Sequence, residues 1–301
     1  MGKKNITRRK FMTYVTAGAG TIMLGKHALA ASIRPVEVQD PFRTVTLGKS
    51  GIRTTLLGMG TGFSGGNRSS NITRAGVAEP LIRTAYEKGI RYFDCADSYG
   101  THPHTKEALR AFPRDSYVLG TKIWVLQGGI PEADRPDANI VIDRFRKELD
   151  TDYIDIVQLH CMMSGKWTDE QKRQMDILDN LKSKGIIKTH GVSVHTFDAL
   201  MAASESPWVD IIHVRINPFG VSMDSKDPAQ VAQVVEKMHT EGKGIIGMKL
   251  IGNGSYRNDS EKIDQALKYV LGLGTVDMII IGFEKPEQID NYISRIRNTV
   301  L

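Results

Sequence analysis

FDCADSYG, residues 93–100, ends a strand-like run and opens a polar loop. The segment before it, LIRTAYEKGIRY (81–92), has the pattern of an amphipathic helix, a glycine that stops the helix, and the start of a strand. This order places Asp94 at the end of the strand and Tyr99 on the loop beyond it. In a β/α barrel, that end of the strands carries the chemistry. A carboxylate and a phenol there could form a proton-donating pair if a nearby cation made the phenol more acidic.

The rest of the chain repeats this order of elements. Apolar strand-like runs occupy residues 56–61, 90–96, 117–123, 154–160, 189–194, 211–217, 244–250 and 278–283. Helix-like segments alternate with them at 79–89, 106–112, 138–149, 175–185, 197–206, 232–242, 262–274 and 286–296. Eight strands and eight helices over about 250 residues predict a closed (β/α)8 TIM barrel, an α/β fold. Ahead of the barrel, residues 42–58 are typical of a short β-hairpin that turns at residues 48–51.

An open, doubly wound sheet is the alternative arrangement of the same elements. Its first strand–helix turn would carry a dinucleotide-binding fingerprint, but GMGTG at residues 58–62 lacks that spacing. The strand runs are also apolar throughout, as expected of strands buried on both faces. The pattern therefore favours the barrel.

The first 30 residues account for the positive charge of the chain. The sequence has 40 Lys and Arg against 34 Asp and Glu. Residues 1–30 hold six of the basic residues and no acidic one, which leaves 34 of each sign in the remainder. A nucleic-acid-binding function thereby loses its main electrostatic support.

This N-terminal segment resembles a twin-arginine export signal. TRRKFM (7–12) carries the arginine pair, an apolar run rich in Gly and Ala follows, and ALA (28–30) supplies a small-residue cleavage site. The apolar run is shorter than the roughly 20 residues that a spanning helix needs. We therefore expect a signal peptide over 1–30, a linker over 31–41 and a barrel over 42–301. The expected partner is the twin-arginine export machinery, and the expected location is the periplasm.

Cysteine content argues against a disulfide framework or a metal cluster. Cys95 and Cys161 are the only cysteines, and each would lie at the end of a different strand. Cys161 follows His160 directly, but adjacent residues on a strand point to opposite faces. A nucleophilic pair of these two side chains is therefore disfavoured.

Two further strands bring ionisable side chains to the rim that holds Asp94 and Tyr99. Lys122 lies near the end of the run 117–123, and His160 ends the run 154–160. Lys122 paired with Asp94 would hold a positive charge near the Tyr99 hydroxyl and lower the phenol pKa from about 10. Tyr99 would then donate a proton to a carbonyl oxygen that His160 orients. Since none of the four supplies hydride, a nicotinamide cofactor is required.

Seven motifs occur in the order found in aldo-keto reductases, and the chain resembles that family over roughly residues 42–298. They are FDCADSYG, GTKIW (120–124), VQLH (157–160), GVSVH (191–195), INPFG (216–220), GMKLIGNG (247–254) and IIIGFEKPEQIDN (279–291). The resemblance implies that Tyr99 is the general acid/base and that Asp94 and Lys122 tune it. It also implies that His160 orients the carbonyl.

The resemblance further implies a set of cofactor-binding positions. In chain order these are Gly60, Thr61, Ser193, His213, Met248, Lys249, Gly252 and Gln288. Ser193 and His213 stand where the family binds the nicotinamide carboxamide, although His213 replaces a frequent Gln. Met248 replaces an aromatic residue that stacks on the nicotinamide ring, where a thioether can also pack. Residues 249–255 resemble the phosphate loop.

The choice between NADP and NAD stays open in the sequence. Family members that hold the 2′-phosphate of NADP have basic residues at the positions of Gly282 and Gln288. Lys285 is near enough in sequence to substitute for them. A tightly held cofactor would also answer the lack of free nicotinamide after export.

The leading hypothesis is an exported NAD(P)-dependent oxidoreductase that interconverts an aldehyde, ketone or sugar and its alcohol. A second is a cofactor-binding barrel that senses redox state or binds a partner without turnover. A third is a metal-dependent hydrolase using His102, His104 and His160, although residues 101–105 are more typical of a polar loop. The aromatic residues expected at the rim are Phe63, Trp124 and Trp167.

Overall fold

In the computed structural model, which describes residues 39–64 and 66–301, eight parallel strands close into a barrel. With the two strands of a separate hairpin, β1 and β2, counted first, the strands are β1 Thr44–Thr46, β2 Arg53–Thr55, β3 Leu57–Gly60, β4 Tyr92–Asp94, β5 Val118–Ile123, β6 Ile154–Met162, β7 Ile187–Val194, β8 Ile211–Arg215, β9 Gly244–Met248 and β10 Met278–Gly282. Around the barrel the order runs from β3 to β10 in sequence, and β10 pairs with β3. The predicted (β/α)8 barrel is confirmed.

Helices connect the barrel strands on the outside. Those of the described residues are α1 Asn71–Arg74, α2 Ala78–Lys88, α3 His102–Leu109, α4 Ala138–Leu149, α5 Trp167–Glu170, α6 Lys172–Ser183, α7 Phe197–Glu205, α8 Pro228–Glu241, α9 Ser260–Gly272 and α10 Pro286–Asn298. Each longer helix buries one stripe of apolar side chains. In α4, for example, Val141, Phe145 and Leu149 recur every four residues and are buried.

Helix α3 corrects one expectation from the sequence. Residues 101–105 were expected to form a polar loop, yet the helix already begins at His102. Pro103 is compatible with this because a proline in the first turn removes an N–H that has no partner within the helix.

Strand register brings the chemically active side chains to one end of the barrel. Gly60 pairs with Asp94 and Asp94 pairs with Gly120, while Lys122 lies two residues further along β5. Because all barrel strands are parallel, their carboxyl ends meet at one rim. Tyr99 follows β4 in a short 3-10 turn, Asp97–Tyr99. Sequence positions that are far apart thus become neighbours.

The predicted hairpin is also confirmed, and it packs at the opposite end of the barrel. β1 and β2 pair antiparallel, with Thr44 opposite Thr55. The Lys49 N–H donates to the carbonyl of Gly242 at 2.8 Å, just before β9 begins. Leu47 is fully buried beneath this contact. The amino-terminal end of the barrel therefore has its own closing element.

The predicted signal peptide, residues 1–30, and the linker up to residue 38 lie outside the described residues. Within residues 39–64 and 66–301, none of the helices has the length and apolar content that crossing a bilayer requires.

Candidate active site

A buried ion pair between Asp94 and Lys122 lies at the carboxyl end of the barrel. Lys122 Nζ is 2.6 Å from both carboxylate oxygens of Asp94 and donates to the Cys95 carbonyl at 3.0 Å. Burial alone would raise the pKa of Asp94, but Lys122 and His213 beside it outweigh burial and lower the pKa to about 2. Asp94 is therefore a carboxylate at neutral pH and holds the Lys122 ammonium in place.

The turn that carries Tyr99 is anchored by a second buried carboxylate. Asp97 lies 3.0 Å from Arg68 Nε and 2.6 Å from Arg144 Nη2. Charge-assisted hydrogen bonds of this kind restrain the backbone around them. The Tyr99 ring packs against Gly62, where an added Cβ would overlap the ring. The phenol is thus positioned from two sides.

Tyr99 and His160 face each other beside the ion pair. Lys122 Nζ lies 5.2 Å from the centroid of the Tyr99 ring. The His160 ring meets the Tyr99 ring edge-on, with centroids 5.6 Å apart and planes at 85°. Trp124 contacts His160 in the same manner, with centroids 5.2 Å apart. The structure therefore brings together all four side chains that the sequence places at the rim.

The titration of Tyr99 differs from the expectation. Burial raises the pKa of Tyr99 well above its usual value of 10, and the negative charge of Asp94 raises it further. The expected lowering by Lys122 was wrong, because both oxygens of Asp94 already neutralise that ammonium. Tyr99 therefore keeps its proton at neutral pH, as a proton donor must.

His160 is neutral at the same pH. Burial is the main cause that brings the pKa of His160 well below its usual value, and the charge of Lys122 lowers it further. A neutral imidazole carries one N–H donor and one acceptor. It can therefore donate a hydrogen bond to a carbonyl oxygen without protonating it.

His213 lies next to Asp94 and is not one of the residues that line the cleft beside Tyr99. Its Nε2 is 3.0 Å from Asp94 Oδ1. The N–H direction does not suit a hydrogen bond, so both ring nitrogens lack a hydrogen-bond partner among the described residues. Burial lowers the pKa of His213, although Asp94 opposes the shift. The contact of His213 with the nicotinamide carboxamide stays a prediction. Its neighbour in the structure is Asp94.

A cleft of about 470 Å³ extends from Asp94 and Tyr99 to the groove between α9 and α10. Gly60, Gly62 and Met248 line the part of the cleft that Tyr99 also lines. The groove at the other side is lined by Ser260, Ile263, Asn291, Tyr292 and Arg295. Such a volume and such a mixture of apolar and polar groups suit a small organic ligand.

The loop after β9 has a backbone suited to a phosphate group. Gly252, Asn253 and Gly254 have φ angles of 58°, 55° and 87°, a left-handed run that favours glycine. A Cβ on Gly252 would come within 2.8 Å of the Tyr256 ring. Lys249 precedes this turn and forms no ion pair with any described residue, while burial lowers its pKa. An uncompensated cation beside a tight glycine turn fits the pyrophosphate of a dinucleotide.

The predicted cofactor positions divide into two groups. Those that line the cleft are Gly60, Met248, Lys249 and Gln288. The positions that are buried and do not line the cleft are Thr61, Ser193, His213 and Gly252. Thr61 donates to the Asp94 carbonyl at 2.8 Å, and Ser193 Oγ accepts from the Cys161 N–H at 2.9 Å. Their contacts with a cofactor stay predictions.

Gln288 has a structural contact of its own. Its Oε1 accepts from the N–H groups of Glu284 and Lys285 at 2.7 and 3.1 Å, and so caps the start of α10. An amide in this position satisfies N–H groups that a helix leaves unpaired.

The sequence did not identify several residues that the structure places at the site. Glu284, Glu287 and Arg257 line the cleft. The first two lie inside a quoted motif, but the motif alone does not say which side chains face the cleft. The pairing of Asp97 with Arg144 joins residues 47 apart, and no local spacing signals it.

The histidines of α3 serve separate partners. His102 Nδ1 lies 2.7 Å from Glu148, and His104 Nδ1 lies 3.1 Å from Glu79. Across residues 39–64 and 66–301, no cluster of three or more His, Cys, Asp or Glu could hold a metal ion. The hydrolase hypothesis required His102, His104 and His160 to bind one metal ion together. His102 instead contacts Glu148, and His160 contacts Tyr99.

Three other side chains considered from the sequence have the following positions. Cys161 Sγ lies 3.4 Å from His195 Nδ1, and burial raises the pKa of this thiol to about 11. It is therefore a thiol rather than a nucleophilic thiolate at neutral pH. Trp167 is fully buried and donates to the Ala199 carbonyl, so it belongs to the core and not to the rim. Phe63 does line the cleft.

The closed barrel and the side chains at its rim place the chain in the class of (β/α)8-barrel proteins whose polar site lies at the carboxyl ends of the strands. A model of the Aldo/keto reductase family matches residues 56–267. The chain belongs to this family, whose members use nicotinamide cofactors.

Relatives and solved structures agree with this placement. Probable aldo-keto reductase 1 of Glycine max is 27% identical over 226 residues, which cover 72% of this chain and 62% of the relative. L-galactose dehydrogenase of Arabidopsis thaliana is 22% identical, with 83% of this chain and 86% of the relative covered. The crystal structure of a putative aldo-keto reductase from Pseudomonas aeruginosa shares the fold at a TM-score of 0.69 and 21% identity, covering 88% of this chain and 98% of that one. The match thus spans less than two thirds of the soybean relative's length.

Proposed function

We propose that this protein interconverts a carbonyl compound and its alcohol, with Tyr99 as the proton donor and acceptor. One observation carries the proposal. Lys122 sits between both oxygens of Asp94 and the Tyr99 ring, and His160 meets the same ring edge-on. A barrel that only binds a ligand has no use for a buried ion pair under a phenol, since charges are costly to bury.

Each of these side chains has a defined task in the reaction. When bound, a reduced nicotinamide supplies the hydride that the carbonyl carbon receives. Tyr99 donates its proton to the carbonyl oxygen, while the Lys122 ammonium, held by Asp94, lies beside its ring. His160 donates a hydrogen bond to the same oxygen and fixes its position. In the reverse direction Tyr99 accepts the proton from the alcohol.

Sugars and related hydroxy-aldehydes are the substrate class that we propose first. Trp124 lies against His160, and Phe63 lines the cleft, so two aromatic side chains flank the reacting position. Aromatic faces pack well against the C–H faces of sugars. The similarity to the L-galactose dehydrogenase of Arabidopsis thaliana supports the same class.

Removing one hydroxyl group tests the proposal. Tyr99→Phe is expected to lower kcat by about 10² to 10⁴-fold, the usual contribution of a positioned acid. Nucleotide binding should stay within a few-fold of the parent, because the ring is retained. The measurement is the change in reduced-nicotinamide absorbance with a panel of sugars, aldehydes and ketones.

The control for this variant is Tyr153→Phe. Tyr153 packs its ring under Lys188, away from the rim residues. This variant should turn over like the parent protein. Retention of parental kcat in Tyr99→Phe would contradict the assignment of Tyr99 as the acid.

We also propose that the protein is exported by the twin-arginine route and acts in the periplasm. The arginine pair, the short apolar run and the small-residue site within residues 1–30 support this. Export by that route accepts folded proteins and so permits cofactor uptake before transport. Fractionation of the native host is the test, and recovery in the cytoplasm alone would contradict it.

A further inference from the structure

Two carboxylates line the cleft where α10 begins, and no described cation pairs with either. Glu284 lies two residues after β10, and Glu287 lies in the first turn of α10. Both line the cleft. Glu284 has a polar neighbour, Asn71, whose Nδ2 donates to Oε1 at 2.5 Å. The contact leaves the second oxygen of Glu284 without a hydrogen bond to any described residue.

The direction of a bound dinucleotide along the cleft follows from the proposed function, on which this inference rests. The nicotinamide must reach Tyr99, and Lys249, Asn253 and Gly254 also line the cleft. The adenosine half then occupies the groove between α9 and α10. Glu284 and Glu287 stand where α10 begins and would face the adenosine ribose.

Carboxylates at this place distinguish the two nicotinamide dinucleotides. A carboxylate oxygen accepts a hydrogen bond from a ribose 2′-hydroxyl, as acidic residues do in other dinucleotide-binding folds. A 2′-phosphate would instead bring about two negative charges against Glu284 and Glu287, and like charges in a protein cleft repel strongly.

Neither Arg295 nor Lys285 offers the cleft an unpaired positive charge. Arg295 lies 2.5 Å from Asp264 and donates to Asn291 at 2.7 Å, so its charge is already paired. Lys285 is exposed, and the described lining of the cleft does not include it. Gly282 carries no side chain, and Gln288 uses its carbonyl oxygen to cap α10.

Arg257, like Lys249, is a cation that lines the cleft without a described ion-pair partner. It follows the phosphate turn, donates to the Gly254 carbonyl at 3.1 Å and has no ion-pair partner among the described residues. Its position beside the glycine turn suits the pyrophosphate, a group that NAD and NADP share. It would therefore add affinity for both without favouring either.

We propose that Glu284, with Glu287 beside it, makes this protein select NAD(H) over NADP(H) by accepting a hydrogen bond from the adenosine ribose. Asn71 acts as a positioning residue, because its amide holds the Glu284 carboxylate at the edge of the cleft.

Calorimetric titration of the full-length protein with NADH, NADPH, 5′-AMP and 2′,5′-ADP tests this without any need for turnover. The parent protein is expected to bind NADH at least about tenfold more tightly than NADPH, the effect of one charge-assisted hydrogen bond. Glu284→Gln should weaken NADH, strengthen NADPH and reduce this ratio by about tenfold. The two adenosine fragments should follow the same order.

Three further variants make the result specific. Glu287→Gln should shift the ratio in the same direction but less, since Glu287 is more exposed. Asp290→Asn, on the same helix but outside the cleft lining, removes the same charge and should leave the ratio unchanged. Arg257→Gln should weaken NADH and NADPH alike.

The inference is overturned if the parent protein binds NADPH more tightly, or if Glu284→Gln leaves the ratio unchanged. It is also overturned if Arg257→Gln weakens NADPH alone, because Arg257 would then hold the 2′-phosphate. If the protein prefers NADH in titration but turns over no carbonyl compound, the proposed function is wrong. The preference for NADH would still support this inference.

Discussion

Lys122 uses all three of its ammonium hydrogens inside the barrel, two on Asp94 and one on the Cys95 carbonyl. The pair therefore shows little net charge to Tyr99, and burial decides the pKa of the phenol. The sequence could identify these side chains because each lies at a strand end or on the loop that follows. It could not predict the sign of the pKa shift, since that depends on burial and on the partners of the nearest cation.

The first prediction at this scale concerns the loss of the cation. Lys122→Met leaves Asp94 buried without its main partner and should lower the free energy of unfolding by about 3–5 kcal/mol at neutral pH. Adding Asp94→Asn to this variant removes the buried charge and should restore most of the stability but not the turnover. Urea unfolding of the two variants and the parent protein is the measurement.

The same prediction has a defined pH dependence. The pKa of Asp94 is lowered from 3.8 to about 2 in the folded protein, so its contribution to stability is present above 3.8. This contribution is lost as the pH falls through about 2. The deficit of Lys122→Met should therefore shrink as the medium becomes acidic, because its Asp94 takes up a proton first. A deficit that stays constant from neutral pH to about pH 3 would refute this account of the pair.

Backbone hydrogen bonds from one loop hold the Tyr99 turn in place. The loop after β3 runs along the turn, where the Arg68 N–H donates to the Ser98 carbonyl at 2.8 Å and the Ser70 N–H donates to the Tyr99 carbonyl at 3.0 Å. The strands themselves were predictable because apolar runs of this length form buried parallel strands. The packing of this loop on the turn was not, because it depends on contacts about 30 residues apart that have no period or spacing rule.

At this scale, Gly62→Ala is expected to separate positioning from folding. The added Cβ overlaps the Tyr99 ring, so the ring must shift from its position beside His160. We expect kcat to fall by about 10²-fold, the usual effect of a displacement near 1 Å, while the unfolding free energy changes little. Steady-state kinetics and thermal unfolding on the same preparation provide the measurement.

Gly66→Ala is the matched control on the same loop. A Cβ at Gly66 meets no atom within 4 Å, and the backbone there does not require glycine. This variant should keep parental kcat. If both variants lose activity equally, the loop and not the Tyr99 ring is the sensitive element.

The two ends of the barrel differ in what they carry. The carboxyl end holds the ion pair, the phenol and the cleft, whereas the β1–β2 hairpin packs on the amino end. The number and order of strands followed from the sequence, since eight alternating units leave few other closed arrangements. The lining of the cleft did not, because strand ends show which residues share a rim but not which of them face a ligand. Ser193 and His213 illustrate this, as both lie behind the described lining.

Gly48→Ala tests this division at the end of the barrel that carries no chemistry. Gly48 has a φ of 49°, and a Cβ there would overlap the backbone of residues 242–244 at the start of β9. The left-handed strain and the overlap together should lower the free energy of unfolding by about 3 kcal/mol. The kcat of the folded protein should stay unchanged, because the rim residues lie at the opposite ends of the strands.

Gly51→Ala, with a φ of 75° and no atom within 4 Å of the added Cβ, isolates the strain and should cost only about 1 kcal/mol. Denaturant unfolding gives the free energies, and rates normalised to the folded fraction give kcat. A drop in kcat for Gly48→Ala alone would mean that the two ends are coupled and that the hairpin contributes to the geometry of the rim.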